Sequence, residues 1–317
     1  MKPPYQVTSK ILKLISEISM RLGEVNANYL NKQSPQLRKN NRIKTIHSSL
    51  QIEGNTLSLD QVSALIENKR VVGPQKDVKE VLNAISAYDQ LTSFDSTNEK
   101  SFLKAHKLLM DGLITNSGQY RKSEVGIMKG NNLTHLAPPA ENIKFLMKEL
   151  FSYLKNSDDP VLIKSSVFHY ETEFIHPFTD GNGRMGRMWQ TVILMKDFPV
   201  FEYLPFETLI SKKQKEYYAA LSKSDKEGNS TIFIEFMLQT LNESLENLLQ
   251  YNNRIMSDID RIEYFLSHSK KEFTRKDYMN IFKDISSASA SRDLKKALEI
   301  KLITKSGTKN TTKYKIN

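Results

Sequence analysis

A mainly α-helical protein with one internal β-hairpin and a small α+β tail is the fold class that three features of this 317-residue sequence predict. Apolar residues recur at three- and four-residue spacing along most of the chain, the signature of helices with one buried stripe. Strand-like runs bounded by turn residues are confined to residues 123–139 and 302–317. The charge is also lopsided. Residues 270–317 hold 13 Lys and Arg against 5 Asp and Glu, so this stretch carries +8 of the chain's net +10 and the first 269 residues only +2. Such a basic terminal module calls for an acidic partner of its own.

Taken in order, helices are expected at 11–26, 59–71, 76–94 and 99–114, each with the amphipathic period. The run 123–139 reads as two short strands around the turn residues Lys129-Gly130-Asn131-Asn132. Pro138 and Pro139 precede a helix at 140–156, and a long apolar helix follows at 159–176. Further helices are expected at 184–198, 211–225 and 231–255. The tail reads as three helices, the second capped by Thr274, closed by a hairpin turning at Ser306-Gly307. Length divides this into three parts: 1–98, 99–254 and 255–317. No run of about 18 apolar residues is present, so no membrane span is expected. The N-terminus lacks a small-residue cleavage site, and no signal peptide is read there. The absence of cysteine excludes disulfides and thiolate metal sites and fits the reducing cytoplasm, the location expected.

The densest chemistry lies in HPFTDGNGRMGR, residues 176–187. A glycine loop feeding a helix N-terminus lets backbone N–H groups converge on an anion, which the helix dipole also favours. Arg184 and Arg187, three apart, add two cations on nearly one face of the first turns, a polyphosphate site more than a single-carboxylate one. Asp180 can hold a Mg²⁺ that bridges phosphate oxygens. Asn182 can donate to a non-bridging oxygen. His176 belongs to the residue type that exchanges protons near neutral pH and can take one from a hydroxyl nucleophile. Together these parts describe transfer of a phosphate-containing group. A zinc reading of His169, Glu173 and His176, at i, i+4 and i+7, is set aside because the helix is apolar all round and no fourth ligand is supplied.

This stretch resembles the signature of the Fic family, HPFx(D/E)GNGRxxR, at every specified position. IEGNTLSLDQV (52–62) and YYAAL (217–221) extend the resemblance over residues 1 to about 250. It implies a helical bundle that transfers AMP from ATP to a hydroxyl side chain of a target protein and of itself. His176 would be the base and Asp180 the Mg²⁺ ligand. Gly181, Asn182 and Gly183 would cradle the phosphates, Arg184 would hold the β- and γ-phosphates, and Arg187 would reach the γ-phosphate. The ATP-binding loop would include Met185 and Gly186. The hairpin corresponds to the family's flap, with Leu133, Thr134, His135 and Leu136 near the nucleotide and a free edge for an extended target segment. Tyr217, Tyr218 and Asp225 lie where an adenine pocket is expected. UMP, phosphate and phosphocholine remain open as the transferred group.

Ser49-x-x-x-Glu53-Gly54 resembles the family's inhibitory motif in the class whose inhibitory helix precedes the core on the same chain. Glu53 against Arg187 would occupy the γ-phosphate's place, and the same glutamate would support removal of AMP. The tail resembles the winged-helix modules of bacterial regulators, with ASRDLKKAL as recognition helix and Arg292 as its main base-reading side chain. It could bind DNA, or protein. The partners expected are thus ATP, a target hydroxyl, DNA at the tail and a second copy in a homodimer, with no membrane. The rival reading is a DNA-binding regulator whose Fic-like domain senses nucleotide.

Overall fold

The computed structural model describes residues 2–28, 35–124, 126–129, 132–255, 258–268, 271–282, 285–307 and 312–316; at 26–28, 35–36, 126–129, 132–136, 251–255, 260 and 267–268 it describes the backbone alone. These residues divide into two compact units, Met1–Ser244 and Leu245–Asn317.

In the first unit, α1 (Ser9–Asn28) buries Ile11, Leu14, Ile18, Leu22 and Val25, the stripe its spacing predicts. Helix α2 (Pro35–Ile52) escapes the periodicity because its buried face is mixed, pairing Ile43, Ile46 and Leu50 with Asn41, Thr45, Ser48 and Ser49. Ser58 and Gln61 form a capping box that starts α3 (Leu59–Ile66), which stops short of residue 71 as Asn68 turns left-handed. Helices α4 (Gln75–Tyr88) and α5 (Glu99–Leu109) follow, the latter capped by Asn98.

Strands β1 (Gly126–Lys129) and β2 (Asn132–Leu136) pair antiparallel with a register shift at Ile127/Met128. Of the four expected turn residues, Gly130 and Asn131 lie outside the described residues. Beyond the hairpin come α6 (Ile143–Asn156), α7 (Val161–Ile175), α8 (Asn182–Asp197), α9 (Glu207–Lys212), α10 (Gln214–Glu227) and α11 (Thr231–Ile255).

Helices α7 and α8 pack along each other at the centre of this unit, and α2 lies against α9. Phe102 gathers Phe151, Phe168, Phe178 and Trp189 around it at centroid distances of 5.1–5.8 Å. This aromatic cluster anchors both helices and the loop between them.

In the second unit, α12 (Asp258–His268), α13 (Arg275–Ile281) and α14 (Ser287–Glu299) pack beside a three-stranded antiparallel sheet. Its order is β3 (Glu272–Phe273), β5 (Lys313–Ile316), β4 (Ile303–Ser306). Strand β3 has two residues, too few for any period to announce it. Thr274 and Asp277 form a capping box at α13. Phe265, Phe273, Tyr278 and Leu294 fill the core, and Asp293 inside it accepts from Arg261 at 2.7 and 2.8 Å and from Tyr278 at 3.0 Å.

Candidate functional site

Helix α7 ends in His176, whose N–H still donates to Thr172 while its backbone has turned left-handed (φ 50°, ψ 59°). Five residues later α8 begins behind Gly181, also left-handed at φ 88°. A Cβ on Gly181 would sit 2.8 Å from Met110 Sδ, so this position requires glycine twice over. Asn182 closes the loop. Its Oδ1 accepts from the Phe178 N–H and its Nδ2 donates to the Phe178 carbonyl, both at 2.9 Å. These two bonds commit the amide oxygen and one of the two Nδ2 protons to the loop. Helix geometry leaves the N–H groups of the first turn of α8 without intrahelical partners, and these remain for an anion.

A second histidine holds the loop from behind. His106 Nδ1 accepts from the Gly118 N–H at 2.8 Å, so the ring proton resides on Nε2 and is donated to the Asp180 carbonyl at 2.9 Å. The ring stacks on Phe178 at 3.6 Å, and burial pushes its pKa down to about 4, keeping it neutral. No local pattern marks His106, which lies 74 residues before Asp180.

The two loop arginines go to different acids. Arg184, buried, donates to Asp180 Oδ1 at 2.9 Å and to Glu80 Oε1 of α4 at 3.3 Å. Arg187, fully buried, donates to Glu53 Oε1 at 2.6 Å, to the Ser49 carbonyl at 3.0 Å and to Ser49 Oγ at 3.2 Å. Its Nη1 has no hydrogen-bond partner among the described residues. Gly183 marks where these groups converge. A Cβ there would lie 2.4 Å from Glu53 Oε1, 3.0 Å from Arg187 Nη1 and 3.1 Å from Glu173 Oε1.

Glu173 stands at the end of a buried chain. Tyr217 Oη is 2.9 Å from Glu173 Oε1 and 3.0 Å from His169 Nε2, and His169 Nδ1 is 2.7 Å from Gln190 Oε1. An amide oxygen only accepts, so Nδ1 carries the proton of a ring that burial pushes down to about 3, and Nε2 must accept. An ionised Glu173 accepts the hydrogen bond of the Tyr217 hydroxyl, which leaves Nε2 without a donor from Tyr217. A protonated Glu173 donates to Tyr217, which donates to His169, and the whole chain is satisfied. Burial, and then the nearby Glu53, push Glu173 up to about 7 in the same direction.

Other expected site residues fall elsewhere. Met185 is fully buried, and a Cβ on Gly186 would meet His169 Cδ2 at 2.5 Å, so Gly186 faces α7. Tyr217 has no exposed surface with which to stack on a base, whereas Tyr218 is exposed and Asp225 accepts from Tyr170 at 2.9 Å. Leu133–Leu136 form the backbone of β2, and their side chains lie outside the described ones. His169 is 3.9 Å from Glu173 but directs both ring nitrogens to Gln190 and Tyr217. Among the described residues no group of three or more His, Asp and Glu is arranged to hold a metal ion. Asp180 fits a Mg²⁺ shared with phosphates, because its carboxylate is half-exposed and Oδ2 has no hydrogen-bond partner among the described residues. None of the described helices is long and apolar enough to cross a membrane.

In the second unit the exposed face of α14 presents Ala288, Ser291, Arg292 and Lys295 at helical spacing, with Arg275 of α13 donating to Ser291 Oγ at 3.1 Å. Lys305, Lys313 and Lys315 are exposed on β4 and β5.

The Fic/DOC family model matches residues 96–194. A protein adenylyltransferase Fic of Nematostella vectensis is 26% identical over 219 residues, covering 64% of this chain and 48% of that protein. Protein adenylyltransferase fic-1 of Caenorhabditis elegans is 27% identical over 220 residues, covering 64% and 40%. The chain thus spans less than half the length of these curated relatives. Among solved structures, a Fic family protein from Desulfovibrio desulfuricans G20 is 37% identical, with a TM-score of 0.77 over 100% of this chain and 98% of that one. The fold of Fic-1 (residues 134–508) from Caenorhabditis elegans is shared at a TM-score of 0.65 and 21% identity, over 78% and 74%.

Proposed function

The chain belongs to the Fic/DOC family, and from that premise we propose that it transfers AMP from ATP to a hydroxyl side chain of a target protein, under restraint by its own Glu53. The observation that carries this reading is the convergence of Arg187 and Glu53 on Gly183 in the first turn of α8, at the end of the loop that His176 opens. The names of the curated relatives support adenylyl as the transferred group.

On this reading the first-turn N–H groups of α8 and Arg184 bind the triphosphate, and Asp180 holds Mg²⁺, which when bound neutralises charge on the phosphate oxygens. His176 accepts the proton of the attacking hydroxyl as its oxygen bonds to the α-phosphorus and the bond to the pyrophosphate oxygen breaks. Arg187 is the cation for the terminal phosphate. It cannot serve that anion while bound to Glu53 and Ser49, so ATP is held out of line for attack. On this reading α2 is an inhibitory helix that precedes the core on the same chain. With product bound, Glu53 could orient a water for removal of AMP. The hairpin would act as the flap. The second unit reads as a winged helix, and the acid-free stretch of its exposed α14 face from Ala288 to Lys295 favours nucleic acid as its partner.

Incubation with ATP labelled at the α- or the γ-phosphate tests the reading. Protein label from the α position alone is expected, and lost in His176→Ala with Mg·ATP affinity kept within several-fold. Label from the γ position alone would make the protein a phosphotransferase.

A further inference from the structure

Arg121 is buried at 2% exposure, yet among the described residues no carboxylate pairs with it, and Glu124 acts on it only at longer range. Its guanidinium instead spans three segments. Nε donates to the carbonyl of His176 at 2.8 Å, Nη1 to that of Ser123 at 2.8 Å, and Nη2 to those of Pro138 at 2.6 Å and Ile175 at 3.4 Å. The backbone N–H of Arg121 adds a bond to Pro177 at 2.9 Å. Ser123 and Pro138 are the two feet of the β1–β2 hairpin. Ile175 and His176 are the last carbonyls of α7, where the helix dipole favours a cation.

We propose that Arg121 is the positioning residue that fixes His176 and the hairpin as one body, so that a hydroxyl presented along β2 meets the imidazole at a set distance. This rests on the function proposed above. A left-handed conformation at a non-glycine residue is strained and persists only where its surroundings over-determine it. The bond to its carbonyl helps hold His176 there, together with its own N–H to Thr172 and its ring Nδ1, 3.3 Å from the Glu173 carbonyl. Four of the five guanidinium protons are committed, in directions fixed by the planar fork. An ammonium group has three donors on one atom and cannot reach carbonyls on three segments at once. Among the described residues none of the Arg121 hydrogen bonds reaches the first turn of α8, so phosphate binding should not depend on the clamp.

The test compares Glu53→Gly with Glu53→Gly/Arg121→Lys in the full chain. With lysine in place of arginine, Mg·ATP affinity by calorimetry should stay within threefold, while kcat for AMP transfer falls at least thirtyfold. Hydrogen exchange at 126–129 and 132–136 should rise at least tenfold, with the amides inside α7 and α8 unchanged. Transfer within threefold of the parent, or affinity lost in proportion to transfer, overturns the proposal. If the parent transfers nothing, the functional reading fails by itself. The clamp is then judged by exchange alone, and unchanged hairpin exchange overturns it.

Discussion

The heads of α8 and α14 both carry arginine, and they use it in opposite ways. At α8 each guanidinium is buried and matched to named acids: Arg184 to Asp180 and Glu80, Arg187 to Glu53. At α14 the positive groups, Arg292 and Lys295, stand in solvent, Lys295 in a loose, exposed pair with Glu299 at 3.9 Å. A buried charge with one partner can be switched by one residue, because removing that partner leaves it uncompensated in a poorly screened place. Exposed charges act as a sum, each worth little and all screened by salt.

The largest break in this comparison comes from Glu53. A charge-assisted bond is worth roughly 1.5–3 kcal/mol, and about 1.4 kcal/mol is tenfold in rate. Glu53→Gly should therefore raise self-modification by one to two orders of magnitude in an α-label assay. Adding Arg187→Ala should cancel most of the gain; a Glu53→Gly protein that stays folded, binds ATP and transfers no faster would show the pair to be inert.

Glu173 sharpens the buried side through pH. Its folded value, about 7, lies above the ordinary 4.5. The stability it contributes is full below pH 4.5 and is lost as pH rises to about 7. Glu173→Gln should remove that decline, so the stability difference between variant and wild type changes by about 1–3 kcal/mol across this window. Denaturant melts at pH 4.5 and 7.5 check it, and parallel curves for both proteins would show that Glu173 does not titrate there.

The smallest effects belong to α14. Arg292→Ala and Lys295→Ala should each weaken binding of the full chain to a mixed-sequence DNA duplex a few-fold at low salt and lower the log–log salt slope by about 1. A slope unmoved by both together would send the second unit's partner from nucleic acid to protein.

Both behaviours differ in how far the sequence exposes them. The helical architecture, the hairpin and the glycine loop were legible, because period and turn chemistry are local. The pairing of Arg187 with residues 49 and 53 was legible only through family resemblance, since nothing in a mixed polar helix such as α2 says which arginine it faces. Glu80, His106 and Arg121 were not legible at all. Each acts on residues distant in the sequence through a single side chain, and their surroundings show ordinary helix or loop composition. Tyr217 misled for a related reason, as an aromatic near a site can line a pocket or fill a core, and only burial separates the two.

The missing side chain at Gly183 bears on how this protein can change over generations. The volume a methyl group would take there is where Glu53 Oε1 now sits, 2.4 Å away, and on the proposed reading the terminal phosphate must approach the same point. On that reading an alanine at 183 would press on Glu53 and on the substrate phosphate alike. Escape from restraint is thus closed on the catalytic side and open on the α2 side, where loss of one carboxylate leaves the phosphate's space untouched. Lineages that lose control of this activity should carry their lesions around residues 49–53 and keep the glycine.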